Sequence, residues 1–484
     1  MIGKQDRSQR TLFIPGSLEQ LVPDDHVLKR VDKVLDLTWL REEVRECYDE
    51  TNGRPSIDPE AAVRLMLAGF FQGIVHDRKL MREAEVNLAI RWFAGYELLE
   101  KLPDHSSLTR IRQRWGAERF RRIFGKTVEA CVKAGLVDGE TIHADATLIR
   151  ADVSWKSLTT KHVDEVLEAN SPEDDPEGSG GGGPKPGRPR KHPEIPKKRS
   201  TTDPDCTMST SNRQERLQPS YKQHTTVDDK AGVVVDVELT TGEVSEGKRL
   251  PEVIERAESV TGKHVACVTG DGGYAQPANY RLCEDRGTAA VIPPQLRAGR
   301  AKRVPSQRFR YDAKHDLVRC PMRRVLRPSY RAPNGWIYKA RSADCSKCVH
   351  RAGCVTRGAK ARTLLIIDDY GPLLRAKRQW VRRDEQARRL YRRHRWQVEG
   401  KHGEAKTQHG LRRAVRRGLW NVAIQAYLTA SVMNLKVLAG LLPLLSWLQA
   451  LWGKRCDLAE TSGSIPRGVF QNRPLIADDL DAAA

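Results

Sequence analysis

One ordered run of hydrophobic patterns, beginning near residue 140, restricts what this chain can fold into more than any other feature. "ETIHADATLI" alternates with a period of two and reads as a strand. Residues 168–220 hold "SPEDDPEGSGGGGPKPGRPRKHPEIPKKRS", a Gly/Pro/charge-rich stretch with almost nothing to bury, expected to be a disordered insert. Its basic half is either a solvated linker or a loose arm for a polyanion. Order returns in "YKQHTTVDD" and "GVVVDVELTTG", a strand pair around the turn signal "DKAG". "GKRLPEVIERAESV" is an amphipathic helix, "HVACVTG" a short buried strand, "QPANYRLCEDRG" a helix up to its glycine, and "AAVIPP" a further strand.

Three strands, then alternating helices and strands, closed by a late helix, is the order of an RNase-H-like fold. That architecture sets a carboxylate on the first strand beside one after the fourth, and a third reaches them from the late helix. Here those are Asp145 in "HADAT", Asp271 in "TGDGGY" and Glu399 in "RWQVEGKHGEAK". Clustered carboxylates repel one another unless a cation intervenes, and a pair of Mg²⁺ (or Mn²⁺) ions about 3.5–4 Å apart satisfies them. Two glycines after Asp271 let backbone approach such a site, and Tyr274 is then placed to hydrogen-bond or stack nearby; a plain turn is the alternative.

Around this core the chain is mixed in class. Its length suggests two to four domains. Residues 1–135 read as an all-α domain, 136–295 as the first part of the core, 296–365 as a Cys-containing insertion, 366–455 as the closing helices and 456–484 as a flexible tail. In the helical domain, Asp58-Pro59 opens one helix, and Ser106 or Ser107 is the expected cap of another. On the latter, Leu108, Ile111 and Trp115 share a face at about 100° per residue, with Arg110, Arg114 and Arg121 opposite and Gly116 as a bend. Either a plain bundle or a helix-turn-helix-like DNA-docking unit fits.

Charge narrows the partner. The net charge is +21 and the pI about 9.6, which favours nucleic acid or an anionic membrane. No amphipathic membrane anchor is evident, and the opening residues lack the apolar segment of a secretory signal. The apolar run 437–452 carries Pro443, Ser446 and Gln449 and reads as a buried helix rather than a membrane span. Ten cysteines without a secretion signal imply a reducing compartment. Cys320, Cys345, Cys348 and Cys354 are either four thiolate ligands of a structural Zn²⁺ or free thiols in a basic loop.

On the late helix, Arg395, Glu399 and Lys406 project from one face while Glu404 points away. That face offers a metal ligand flanked by two phosphate-holding cations, or an ordinary i,i+4 surface pair.

These residues resemble those of the DDE transposases of bacterial insertion sequences, over most of the chain. The helical stretches "LVPDDHVLKRVD", "GRPSIDPEAAVRLMLAGFFQGI" and "AIRWFAGYELLEKLPDHSSLTRIRQR" are similar to that family's N-terminal domain. "DGGY" matches its D-x-G-Y, and Arg395, Glu399 and Lys406 match R-x3-E-x6-K of its Y-x2-R-x3-E-x6-K signature. The signature tyrosine position holds Arg392, with Tyr391 one residue early. "GLRRAVRRGLWNVAIQAYLTASVMNLKVL" resembles the helix that follows. The resemblance implies binding of double-stranded DNA at terminal inverted repeats, metal-dependent cleavage there, joining of 3′ ends to target DNA, a homodimeric synaptic complex and a cytoplasmic, nucleoid-associated location. It also implies DNA contacts from Tyr274, Arg392, Arg395, Lys406, Arg412 and Arg413. Trp396 either stacks on a flipped end base or belongs to a core. A silent DNA-binding protein on the same fold, or an RNase-H-like nuclease, is the competing reading.

Overall fold

The structure is a computed structural model and describes residues 16–49, 56–154, 200–209, 217–295, 304, 308–312 and 314–440. Most of the expected insert, Pro443 with the end of the apolar run, Cys456 and the tail lie outside these residues.

The N-terminal region is helical. After three short helices (Leu18–Leu21, Val27–Asp32, Leu40–Glu43) come α1 (Pro59–Phe71), α2 (Asp77–Val86), α3 (Leu88–Phe93) and α4 (His105–Lys133). Asp58 caps α1 by accepting from the amides of Glu60 and Ala61, with Pro59 in the first turn where no amide is needed. α4 is capped by Asp104, not by Ser106 or Ser107: its carboxylate accepts from the Ser106 amide at 2.8 Å. Leu108, Ile111 and Trp115 are buried on one face as the periodicity predicts. Gly116 breaks the helix at φ 68°. The arginine stripe is broken with it: Arg114 lies over the Tyr48 ring, and Arg121 turns toward Asp236 at 3.8 Å. Arg112 is buried, bidentate to Asp77 at 2.7 and 2.9 Å, and Asp77 also accepts from Arg416 at 2.5 Å. This buried clasp joins the helical region to the segment ahead of the last helix.

The core is one mixed sheet. β1 (Thr141–Arg150), β3 (Gln218–Asp228) and β4 (Val234–Thr241) form an antiparallel meander. β5 (Cys267–Gly270) and β6 (Ala289–Val291) add parallel strands on the other side of β1, reached through α5 (Leu250–Thr261) and α6 (Pro277–Arg286). The order β4-β3-β1-β5-β6 is the one expected for an RNase-H-like core. A short β2 (Thr207–Ser209), inside the stretch read as an insert, also pairs with β3.

Residues 310–367 build a second sheet within the stretch expected to be a Cys-containing insertion. β7 (Arg310–Asp312), β8 (Leu317–Arg319), β9 (Val325–Ala332), β10 (Gly335–Ala340) and β11 (Thr363–Ile367) run antiparallel in the order β11-β10-β9-β8-β7. Phe309, Val318, Leu326, Tyr338 and Ile366 are its apolar centre. Two short helices, α7 (Ser342–Ser346) and α8 (Arg351–Cys354), bridge β10 and β11.

The closing helices begin segmented: α9 (Tyr370–Arg382), α10 (Glu385–His394), a π-helical turn (Arg395–Glu399) and α11 (Gly400–Thr407). Arg383 is extended and Asp384 caps the new start, accepting from the Ala387 amide at 2.8 Å. α12 (Leu419–Gly440) follows. Among the described helices it alone has the length and apolarity to cross a membrane, yet 89% of its most apolar window is buried within the protein. Asn434 ties it to β4, donating to the Val234 carbonyl at 2.8 Å and accepting from the Val234 amide at 2.9 Å.

Candidate active site

β1 and β5 run parallel with Ala144 opposite Gly270, so the next residues, Asp145 and Asp271, emerge side by side. A third carboxylate joins them from the 3-10 turn after β4 (Glu246–Arg249). One ligand oxygen each from Asp145, Glu246 and Asp271 lies within 4.8 Å of the others. Three chain segments distant in sequence thus converge on one acidic group.

Backbone geometry makes room for it. Asp271 accepts from the Gly273 amide at 2.7 Å, which folds the turn back on itself. A Cβ on Gly273 would meet Glu246 Oε2 at 2.7 Å and Asp271 Oδ1 at 2.9 Å, so any side chain there would displace one of the two acids. Asn279 donates to the carbonyls of Gly247 and Tyr274, at 2.7 and 2.9 Å, and ties the two acidic loops together.

The carboxylates sit in unlike environments. Burial pushes Asp145 up, but His402 and the Ala146 amide outweigh it and the net shift is downward. His402 Nδ1 lies 3.4 Å from Asp145 Oδ2, and its Nε2 lies 3.0 Å from Thr225 Oγ1. Burial raises Asp271, and the charge of Asp145 adds to the rise. Burial also raises Glu246, with Lys222 opposing at 3.3 Å. Such a group, two of its members holding protons more tightly than usual, is the donor set a hard divalent cation fits.

Two family profiles match the chain: "Transposase domain (DUF772)" over residues 16–114 and "Transposase DDE domain" over residues 191–435, just over half of the chain. This chain belongs to the transposase DDE domain family. Among solved structures, the transposase is similar to a piggyBac transposase synaptic complex with hairpin DNA (10% identity, 86% of this chain and 74% of that chain, TM-score 0.34). It is also similar to a Mos1 transposase paired-end complex with left transposon end (11%, 54% and 67%, TM-score 0.17). No curated protein matches it.

The transposase brings together two of the three expected acids. Glu399 stands outside the group, on the π-helical turn, its side chain 57% exposed and paired with Arg395 at 3.1 Å. The surface-pair reading therefore describes its geometry here. Tyr391 is stacked on His394, and burial, with the charges of Asp271 and Glu399, raises its hydroxyl. A π turn takes one more residue than an α turn. It therefore draws Tyr391, one residue early against the signature, back toward the face of Glu399. Glu404 is not a candidate: it accepts from Lys436 and faces His409.

The expected DNA-contacting residues divide. Trp396 is 82% exposed, which removes it from any core. Arg395 and Arg412 are exposed; Arg392 pairs with Glu385 at 2.6 Å and Arg413 with Asp152 at 2.7 Å. Lys406 is half-buried. Tyr274 is 1% exposed, so it offers no face to a base; its hydroxyl lies buried near the three carboxylates. Glu246 and His402 escaped the sequence reading. An acid between glycines in "GEVSEG" was the available signal for Glu246; nothing local marks His402.

The four candidate zinc ligands gather in the second sheet. Cys320 follows β8, Cys345 sits on α7, Cys348 lies just after it and Cys354 closes α8, and all four line one pocket with Phe309, Leu326 and Arg362. Burial raises the Cys354 thiol, and the other three thiols add to the rise.

Proposed function

We propose that this transposase binds the terminal inverted repeats of its own element as a homodimer, cleaves DNA at the ends and joins the 3′ ends to target DNA. The expected setting is the bacterial cytoplasm, at the nucleoid. The observation that carries the reading is the Asp145–Glu246–Asp271 group, set where β5 ends beside the middle of β1 in an RNase-H-like sheet.

Asp145, Asp271 and Glu246 are the residues that would hold divalent cations, with Glu399 a further ligand once a DNA phosphate takes Arg395. A divalent cation held there would supply a lowered pKa for an attacking water or 3′-hydroxyl and charge stabilisation for the leaving oxygen. The chain's own residues do the rest. His402 keeps Asp145 ionised and oriented. Arg395 and Arg412, with Arg378, Arg382, Arg388 and Arg389 on α9 and α10, present exposed cations to phosphates. Trp396 offers an exposed aromatic face for an unstacked end base.

The test is cleavage of a labelled duplex carrying the inverted repeats that flank the gene, with Mg²⁺ or EDTA, for wild type and Asp271→Asn. Nicking at the repeat end, absent with EDTA and in the variant, is the expected result. Salt-sensitive binding with no nicking by either protein in a paired-end assembly would favour a silent DNA-binding protein on this fold.

The four cysteines are proposed to hold a structural Zn²⁺, since they line one pocket and four thiolates suit a tetrahedral ion. Metal analysis of the purified chain checks this: zinc present in wild type and lost in Cys345→Ser/Cys348→Ser supports it.

A further inference from the structure

Side chains two residues apart on a strand share a face. Next to Asp145 on its face of β1 is His143; next to Asp271 on β5 is Thr269; the two are register partners. His143 Nδ1 lies 2.7 Å from Thr269 Oγ1, and the same oxygen lies 2.7 Å from His394 Nδ1 on α10. One hydroxyl thus bridges two imidazoles, in a row directly beneath the two aspartates. His143, Thr269 and His394 are 0%, 0% and 5% exposed.

A second anchor lies beside the first. His143 Nε2 sits 2.8 Å from Asp229 Oδ1, in the turn between β3 and β4. Arg393 reaches the same carboxylate at 3.0 Å and the Asp229 carbonyl at 2.7 Å. Gln397 donates to that carbonyl at 3.2 Å. The turn fits closely under this helix: a Cβ on Gly232 would meet the Gln397 side chain at 2.6 Å.

We infer that Thr269, His394 and Asp229 are positioning residues: they dock the π-helical turn onto the row beneath Asp145 and Asp271, and so set the backbone of Glu399 at the edge of the acidic group. The inference rests on the reading of that group as the metal centre. Apolar packing tolerates sliding and rotation; hydrogen bonds of this length to buried, oriented partners specify a single register. The dock occupies the residues immediately before Glu399, where an error of one position would turn the carboxylate to another face. It leaves the Glu399 side chain free to exchange Arg395 for the centre while its backbone stays in place.

Hydrogen–deuterium exchange on the metal-free full chain tests the dock. Thr269→Val keeps shape but removes the bridging oxygen; Thr269→Ser restores it. Exchange at residues 395–399 should rise about tenfold or more in Thr269→Val and His394→Leu, stay near wild type in Thr269→Ser, and not change in α1 or α12. On repeat-end DNA, the turnover of Thr269→Val should fall at least tenfold with DNA affinity within twofold. Unchanged exchange at 395–399, or failure of serine to rescue, overturns the dock. Iron-ascorbate self-cleavage separates the underlying reading: absence of cuts near Asp145 and Asp271 in wild type overturns the metal centre, whatever exchange reports about the dock.

Discussion

Arg395 donates from Nε to Glu399 at 3.1 Å, one turn away, while the acids that come together are Asp145, Glu246 and Asp271. If Glu399 joins the metal centre only with DNA bound, as proposed, it and Glu246 are separable by experiment. Without DNA, Mn²⁺ affinity measured by electron paramagnetic resonance should fall at least tenfold in Glu246→Gln and stay near wild type in Glu399→Gln. With repeat-end DNA, Glu399→Gln should bind normally and lose cleavage by about a hundredfold or more, roughly 3 kcal/mol of transition-state stabilisation. Wild-type cleavage by Glu399→Gln would remove it from the chemistry.

Gly273 is confined by the same acids. A methyl group there enters the space of Glu246 Oε2 and Asp271 Oδ1. Gly273→Ala should melt near wild type, because the turn is at the rim, while metal affinity and cleavage both drop. Equal metal binding in the two proteins would mean that the acids can part without consequence.

Much of the fold was legible because the core obeys local rules. The strand β1, the turn at Asp229–Gly232 and the glycine stop after α6 all appear where the pattern predicts, giving the RNase-H-like order. The second sheet escaped because its strands are charged and half-exposed: "VLRPSYRA" buries Leu326 but leaves its following residues outward. The site divides the same way. Asp145 and Asp271 are readable from strand position; Glu246 becomes a neighbour only through the turn after β4. The sequence spacing that put Arg395 and Glu399 on one face also describes a surface pair, and only tertiary structure shows which geometry the resting chain adopts.

Affinity for DNA should carry a steep salt dependence. Exposed arginines crowd α9, α10 and the segment before α12, and each phosphate contact releases counterions. Replacing Arg389 or Arg412 with alanine should each reduce the slope of log K against log salt by about 1, without altering preference among sequences. Fluorescence anisotropy from about 50 to 200 mM salt would measure it. A flat dependence would place the DNA elsewhere.

Glu404 offers the complementary test, since it is held by Lys436 within the fold while Glu399 is exposed and only proposed for the chemistry. Its pKa is lowered to about 2: burial opposes ionisation, but His409, Lys436 and Lys401 more than compensate. A carboxylate depressed in the folded state contributes stability above its unfolded pKa, near 4.5, and loses it as pH falls toward the folded value. At this half-buried position solvent screens part of the interaction, so Glu404→Gln should lower unfolding stability by about 1–2 kcal/mol at pH 7. The gap between the two proteins should narrow as pH drops below about 4.5, because protonation of Glu404 then removes the same interaction in wild type. Chemical denaturation at pH 7, 5 and 4 reads the difference directly. Cleavage below the melting range should survive in Glu404→Gln and fail in Glu399→Gln; loss in both would make the two glutamates parts of one unit.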